Sequence, residues 1–221
     1  MLPPYPPTLS DKAAQALAKL GVTVRTGAIV TEIQPDAVTI RSGEKIEKIP
    51  THKVLWAAGV LASPLGQALA KVAGATLDRA GRVIVEPDLT VPGHPEIFVI
   101  GDLANFSHQT GKPLPGVAPV AMQQGRYVAA LIPARLHDKK MPPFRYRDKG
   151  SLATIGRAAA VADFGWLHFS GFLAWLAWLF IHLMYLVEFE NRLLVFVQWA
   201  WNYFSRNRAA RLITGEDRSP K

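Results

Sequence analysis

The sequence predicts an α/β fold that ends in an apolar helical tail, and three stretches carry that prediction. The first is "IFVIGDLANF" at 97–106. An apolar run from Ile97 to Ile100, cut off by Gly101, reads as a strand buried on both faces of a parallel sheet. Asp102 then falls at the carboxyl end of that strand, where open α/β sheets hold their ligands and a carboxylate can accept from sugar or polyol hydroxyls. A turn aspartate capping the next segment is the plainer reading of the same residue. The second stretch is a helix followed by strands within residues 8–62. The third is a pair of apolar runs, 171–187 and 193–204.

Taken in order, Ser10 is a suitable N-cap for "DKAAQALAKL", and Gly21 closes that helix. "VTVRT", "AIVTEI" and "AVTIRS" alternate or are β-branched, with "QPD" and "SGEK" as turns. "KVLWAAG" at 53–59 reads as another buried strand, ending in small residues. A helix with strands after it is the closing part of an α/β nucleotide-binding domain. No two glycines are spaced G-x-G, so the chain carries no phosphate cradle of the type such domains use. It reads as the C-terminal part of a longer protein. Residues 63–148 begin with a short strand, a turn at Pro92-Gly93 and the strand already quoted. A Gly/Pro-rich loop, "TGKPLPG", leads to a helix over 119–136. Pro119 suits its first turn, and Pro133 strains its end. From 149 on, "SLATIGRAAAVADFG" predicts a β-hairpin ahead of the apolar runs.

Composition narrows the partners. Net charge is +8 and 49% of the 221 residues are hydrophobic, which favours a membrane surface or an anionic ligand over DNA. There is no zinc-finger spacing, basic region or Arg/Lys block. The absence of Cys fits a reducing compartment and excludes a dithiol centre within these residues. The six His are scattered without metal-ligand spacing, so no metal is expected. "MLPPYPP" at the start has no signal-peptide pattern.

Five of the six Trp (166, 175, 178, 199 and 201) lie in the tail, and Trp favours the headgroup level of a bilayer. The run at 171–187 is slightly short for a span and that at 193–204 is too short. A hairpin through the membrane would carry Glu188, Glu190 and Arg192 into hydrocarbon, at several kcal/mol for each charge. The trailing Arg206, Arg208 and Arg211 suit anionic lipid. The expectation is therefore two helices lying in one leaflet, with lipid contact through residues 166–211. A single-pass anchor and a buried helical pair in a soluble core or dimer interface are the alternatives.

In this order, "VLWAAGV", "HPEIFVIGDLA", "LPGVAPVAMQQGRYVA", "YRDKGSLATIGRAAAV" and the Trp-rich tail resemble type II NADH dehydrogenase. This is the single-subunit, non-proton-pumping NADH:quinone oxidoreductase among the flavoproteins with two dinucleotide-binding domains. The glycine-aspartate strand is widespread in the larger superfamily. The "AMQQG" helix combined with "DKGSLATIGR" and the tail belongs to this branch. The resemblance implies an incomplete Rossmann-like α/β flavoprotein with a membrane-associated helical tail. Residues 1–62 would close the NADH-binding domain, 63–148 would close the FAD-binding domain, and 149–221 would form the hairpin and anchor.

The resemblance also implies roles. Asp102, after Gly101, would hold the ribityl chain of FAD. Ala57, Ala58 and Gly59 would let the chain pass close to the cofactor. Ala121, Met122 and Gln123 would form the helix N-terminus beside the flavin's pyrimidine edge, where amide groups and helix dipole favour negative charge. Gln123 and Gln124 would border the quinone pocket, and Lys149 would sit near the flavin. Gln123 and Lys149 are thus the candidate catalytic residues. The family's quinone pattern is often A-Q-x-A-x-Q, whereas Ala118 to Gln123 here is "APVAMQ". Pro119 takes the first Gln position and cannot donate to a quinone carbonyl. The activity implied is hydride transfer from NADH to FAD, then two electrons to a membrane quinone at the cytoplasmic face of the inner membrane. A homodimer would suit the family. A membrane-associated non-enzymatic remnant and a soluble disulfide reductase relative are the competing readings.

Overall fold

The computed structural model describes residues 2, 4–186 and 189–205, of Phe189 the backbone only. Contacts divide the chain into two units, residues 28–149 and residues 1–27 with 150–221.

The unit of residues 28–149 opens with an antiparallel meander of β1 (Ala28–Gln34), β2 (Ala37–Ser42) and β3 (Lys45–Pro50), in that order across the sheet. Ile33 faces Val38, which faces Ile49, so one apolar row fixes the register. The third strand was not anticipated, although "KIEKIP" alternates with period two. Two expected strands do not form. Residues 22–26, in the other unit, and 53–59 pair with no strand among the described residues. A buried strand needs neighbours for its amide and carbonyl groups. Without them the apolar run stays open, with Leu55 97% and Trp56 62% exposed.

α2 (Leu65–Ala73), also unanticipated, ends on Gly74 in the left-handed region, an ordinary C-terminal stop. Beneath it lies the core of this unit, where Val83, Val85, Leu89, Val91 and Phe106 are nearly inaccessible. Short pairs of strands hold that core. β4 (Val83–Ile84) runs parallel to β7 (Ala104–Asn105), and β5 (Thr90–Val91) is antiparallel to β6 (His94–Phe98). The apolar run at 97–100 is therefore not a parallel strand buried on both faces. Its partner is the preceding hairpin arm, with the Val99 N–H bonded to the Leu89 carbonyl at 3.0 Å. Val99 is buried, while Ile100 is 40% exposed.

α3 (Ala118–Leu136) matches its expected span and contains Pro133 without breaking. Its break in the hydrogen-bond ladder falls in the last turn, where few carbonyls remain to be satisfied.

In the other unit β8 (Ser151–Gly156), β9 (Ala159–Asp163) and β10 (His168–Gly171) form a sheet in the order β10-β9-β8. The hairpin was expected and its third strand was not. β9 shows why this unit has three layers. Alternate side chains point to opposite faces, so Val161 meets Leu9 and Ala13 of α1 (Pro7–Lys19). Ala160 and Ala162 on the other face meet Ala174 of α4 (Phe172–Tyr185). Within this unit residues 1–27 thus pack with the C-terminal sheet. α1 starts before Ser10, because Pro7 is preset for a first helical position. Ser10 Oγ accepts from the Leu2 N–H at 3.0 Å and donates to the Leu2 carbonyl at 3.2 Å, which ties down the preceding segment. α5 (Phe189–Ser205) follows α4.

Candidate functional site

Asp102 sits in a single 3-10 turn, Gly101–Leu103, directly after the extended Ile100. Gly101 has a φ of +69°, which an L side chain rarely adopts. Its N–H donates to Oε1 of Gln124 at 2.6 Å, and Gln124 is only 1% exposed on α3. The turn is thus fastened to the buried face of the helix. Gln124, expected at the border of a quinone pocket, lies inside this joint.

Space around the turn is kept by small residues. A Cβ on Gly101 would lie 3.5 Å from the Ala121 Cβ, and one on Gly116 would lie 3.4 Å from Asp102 Oδ1. Gly116 thus sets the "LPG" loop backbone beside the carboxylate, where an added Cβ would reach only ordinary contact. Asp102 itself is exposed, and among the described residues its carboxylate has no hydrogen-bond partner. An exposed carboxylate with no partner among the described residues can accept from a ligand hydroxyl.

The α3 N-terminus is less open than a full anion site. Pro119 has no N–H, and the N–H groups of Val120 and Ala121 both go to the Val117 carbonyl. What remains is the Ala118 N–H and the helix dipole, worth about 0.3–1 kcal/mol near a charge. Ala121 and Met122 are half-buried in the first two turns.

Gln123 has a different task from its neighbour. Its Nε2 donates to the Arg147 carbonyl at 2.9 Å, and its Oε1 accepts from the Arg147 N–H at 3.0 Å. Gln109 does the same for Tyr146, at 3.0 Å in both directions. Two side-chain amides imitate a strand ladder and fix residues 146–147, two positions before the exposed Lys149. Sequence reasoning missed Gln109 and Gly116. The only signal was their place in a Gly/Pro-rich loop before a helix. Ala57, Ala58 and Gly59 lie in the exposed, unpaired segment after β3, and Gly59 has a φ of +78°.

Behind the turn, Asp78 organises the "DRAGR" bend. Its Oδ1 accepts from the N–H groups of Ala80 and Arg82, both at 2.9 Å. Its Oδ2 accepts from Arg82 Nε at 2.7 Å and from the buried Asn105 at 2.9 Å. Burial pushes the carboxyl up, but the hydrogen bonds from Arg82, Ala80 and Asn105 outweigh it and hold it below 3.8. Asp88 behaves alike. Burial raises it, while bonds from Thr90 and the charge of Arg135 lower it on balance. Arg135 on α3 pairs with Asp88, donates to the Pro95 carbonyl at 2.6 Å and lies over the Phe98 ring. That cation ties the helix end to the β5–β6 hairpin.

The tail forms a second feature. α4 has 14 residues, a rise of about 21 Å against the ~30 Å of bilayer hydrocarbon. Among the described residues no helix is long and apolar enough to cross a membrane. α4 and α5 join through aromatic contacts, with Trp178 stacked on Trp199 at 5.6 Å and Trp175 against Tyr203 at 5.4 Å. Arg192 Nε donates to the Leu186 carbonyl at 2.9 Å, placing a cation at the end of α4. Outward faces stay apolar, with Leu173 67%, Phe180 63%, Trp201 68% and Phe204 82% exposed. Glu188, Arg206, Arg208 and Arg211 lie outside the described residues. Among the described residues no His, Asp or Glu cluster could hold a metal ion.

Comparisons with known proteins cover nearly the whole chain. The pyridine nucleotide-disulphide oxidoreductase family model matches residues 1–125, and the NDH2 C-terminal domain model matches 149–207. Two type II NADH:quinone oxidoreductases of Mycobacterium tuberculosis, Ndh and NdhA, are 41% and 44% identical to the chain over 98% of its length. The chain spans 46% of each of those relatives. The structure of NDH2 from Plasmodium falciparum in complex with NADH superposes with a TM-score of 0.79. That match covers 91% of this chain and 55% of the other, at 18% identity, and so speaks to the fold. The chain belongs to the pyridine nucleotide-disulphide oxidoreductase family, in its type II NADH dehydrogenase branch.

Proposed function

We propose that this chain serves a non-proton-pumping NADH:quinone oxidoreductase, contributing the flavin-facing turn and the membrane-facing tail. The observation that carries this reading is the Gly101-Asp102 turn. It holds a carboxylate that is unpaired among the described residues and is fastened from behind by Gln124. FAD held at this turn would supply the two-electron chemistry between NADH and a quinone. The residues here bind and orient. Asp102 would accept from the ribityl hydroxyls, with the Gly101 and Gly116 backbone beside it. Ala121 and Met122 would present the helix N-terminus to the pyrimidine edge. Gln123, through its two bonds to Arg147, would fix the segment carrying Lys149, whose cation favours negative charge nearby. Pro119 would border the quinone site with a ring that offers no donor. Gln124 would act there indirectly, through Gly101.

The apolar outer faces of α4 and α5 support peripheral contact with one leaflet, which the family resemblance would place at the cytoplasmic face of the inner membrane. The names of the relatives favour quinone over a disulfide as the electron acceptor. The test is spectroscopic. The native gene product containing this chain should purify with a flavin spectrum, bleach on anaerobic addition of NADH and recover on adding a quinone. A colourless protein would sink the reading in favour of a non-enzymatic remnant. Flavin that NADH reduces but a disulfide, not a quinone, reoxidises would point to the disulfide reductase alternative.

A further inference from the structure

The groove between α4 and α5 has a volume of about 750 Å³, within the roughly 300–1,000 Å³ of small-ligand sites. Its walls are aromatic, with Trp175, Trp178, Phe196, Trp199 and Tyr203 among them. A second hollow of about 610 Å³ adjoins it at Arg157, Tyr203 and Phe204. Among the described residues no carboxylate lines either hollow, and the one charged group on both walls is Arg157.

Arg157 is placed there by the backbone. It and Ala158 make the two-residue tip between β8 and β9, and Ala158 adopts a φ of +59° to close it. The guanidinium lies over the Tyr203 ring of α5, 4.6 Å from its centroid. Among the described residues no carboxylate pairs with it. With its central carbon over the ring, the guanidinium offers a planar fork of N–H donors suited to bidentate contact with a phosphate. An apolar trough with a planar cation at its rim, unpaired among the described residues, matches one kind of molecule: an acyl chain joined to a phosphate.

We propose that the α4–α5 groove seats one acyl chain of an anionic phospholipid, with Arg157 holding its phosphate. This rests on the reading of the tail as a surface that meets one leaflet. It adds to that reading a headgroup class and the residue that selects it.

The test uses the full chain and vesicles of phosphatidylcholine alone or mixed with phosphatidylglycerol. Wild type should prefer the mixed vesicles. Arg157→Gln should lose about five-fold in affinity for them, the worth of one well-placed cation, and change little on pure phosphatidylcholine. Arg157→Lys keeps the charge but not the planar fork, and should recover only part of the preference. Lys12→Gln, an exposed cation outside the groove, should leave the preference nearly unchanged. Brominated acyl chains should quench the tail Trp fluorescence in wild type.

Equal losses for Arg157→Gln and Lys12→Gln would overturn the site and leave a diffuse charge effect. Full competition by inorganic phosphate would overturn the lipid assignment in favour of a soluble anion. A dimer whose Trp fluorescence ignores brominated lipid would mean that a second copy fills the groove. Wild type that binds neither vesicle would break the membrane reading itself, a failure distinct from wild type that binds while Arg157→Gln keeps its preference.

Discussion

Two adjacent glutamines on α3 show how one residue step divides the work of a site. Gln124 faces inward and accepts from the Gly101 N–H, while Gln123 faces the chain at Arg147. Replacing Gln124 by Leu strands a partly buried N–H, which costs about 1–3 kcal/mol. The denaturant midpoint should fall with an unchanged m-value. Asp102→Ala separates folding from binding. Its carboxylate is exposed and has no protein partner among the described residues, so stability should stay within about 0.5 kcal/mol of wild type. Flavin retention in the native gene product should drop, read from the ratio of flavin to protein absorbance. Normal flavin occupancy would remove Asp102 from the site. Asp102 was legible because Gly-Asp after an apolar run is a local signal. The inward aim of Gln124 was not, because adjacent helix positions differ by about 100° in direction and a short polar pair does not say which one faces the core.

At the scale of elements, legibility followed how local each element's causes are. α3, β8 and β9 were readable because their periodicity and turns lie within their own residues. The segments 22–26 and 53–59 were misread as strands because a strand is defined by partners elsewhere in the chain. α2 was overlooked because its nine residues carry only a short apolar pattern, and its placement depends on a contact. That contact is Gly66, where an added Cβ would lie 2.6 Å from the Gly81 carbonyl oxygen and 3.2 Å from Leu103 Cδ1. Gly66→Ala should therefore destabilise by about 1–3 kcal/mol through overpacking. The ~1 kcal/mol that alanine normally adds to a helix would not offset it. Thermal or urea unfolding of the variant measures the sign directly. A gain in stability would show that the turn at Gly81 yields, and that Leu103, next to Asp102, is not held by α2.

Over the whole molecule, the titrating groups set limits at both ends of the pH scale. Asp78 and Asp88 are held below their ordinary value of 3.8 in the folded state. A depressed carboxylate contributes stability that is present above its unfolded value and lost as pH falls through its folded one. Stability should thus fall steeply below about pH 4. Tyr5 and Tyr127 shift the other way. Burial lifts each above 10.0, helped by the negative charges of Asp163 and Asp88 respectively. Their contribution is complete below pH 10 and disappears as pH rises through the folded value. Asp78 and Tyr127 belong to the unit of residues 28–149, and Tyr5 belongs to the other. Chemical denaturation across pH should therefore show a broad plateau with an acid limb that Asp78→Asn flattens. That variant keeps the shape of the bend but not its charge, so it should be less stable at neutral pH and less sensitive to acid. If the acid limb keeps its slope in Asp78→Asn, Asp78 does not govern it. The remaining slope would then belong to Asp88, whose pairing with Arg135 joins α3 to the β5–β6 hairpin.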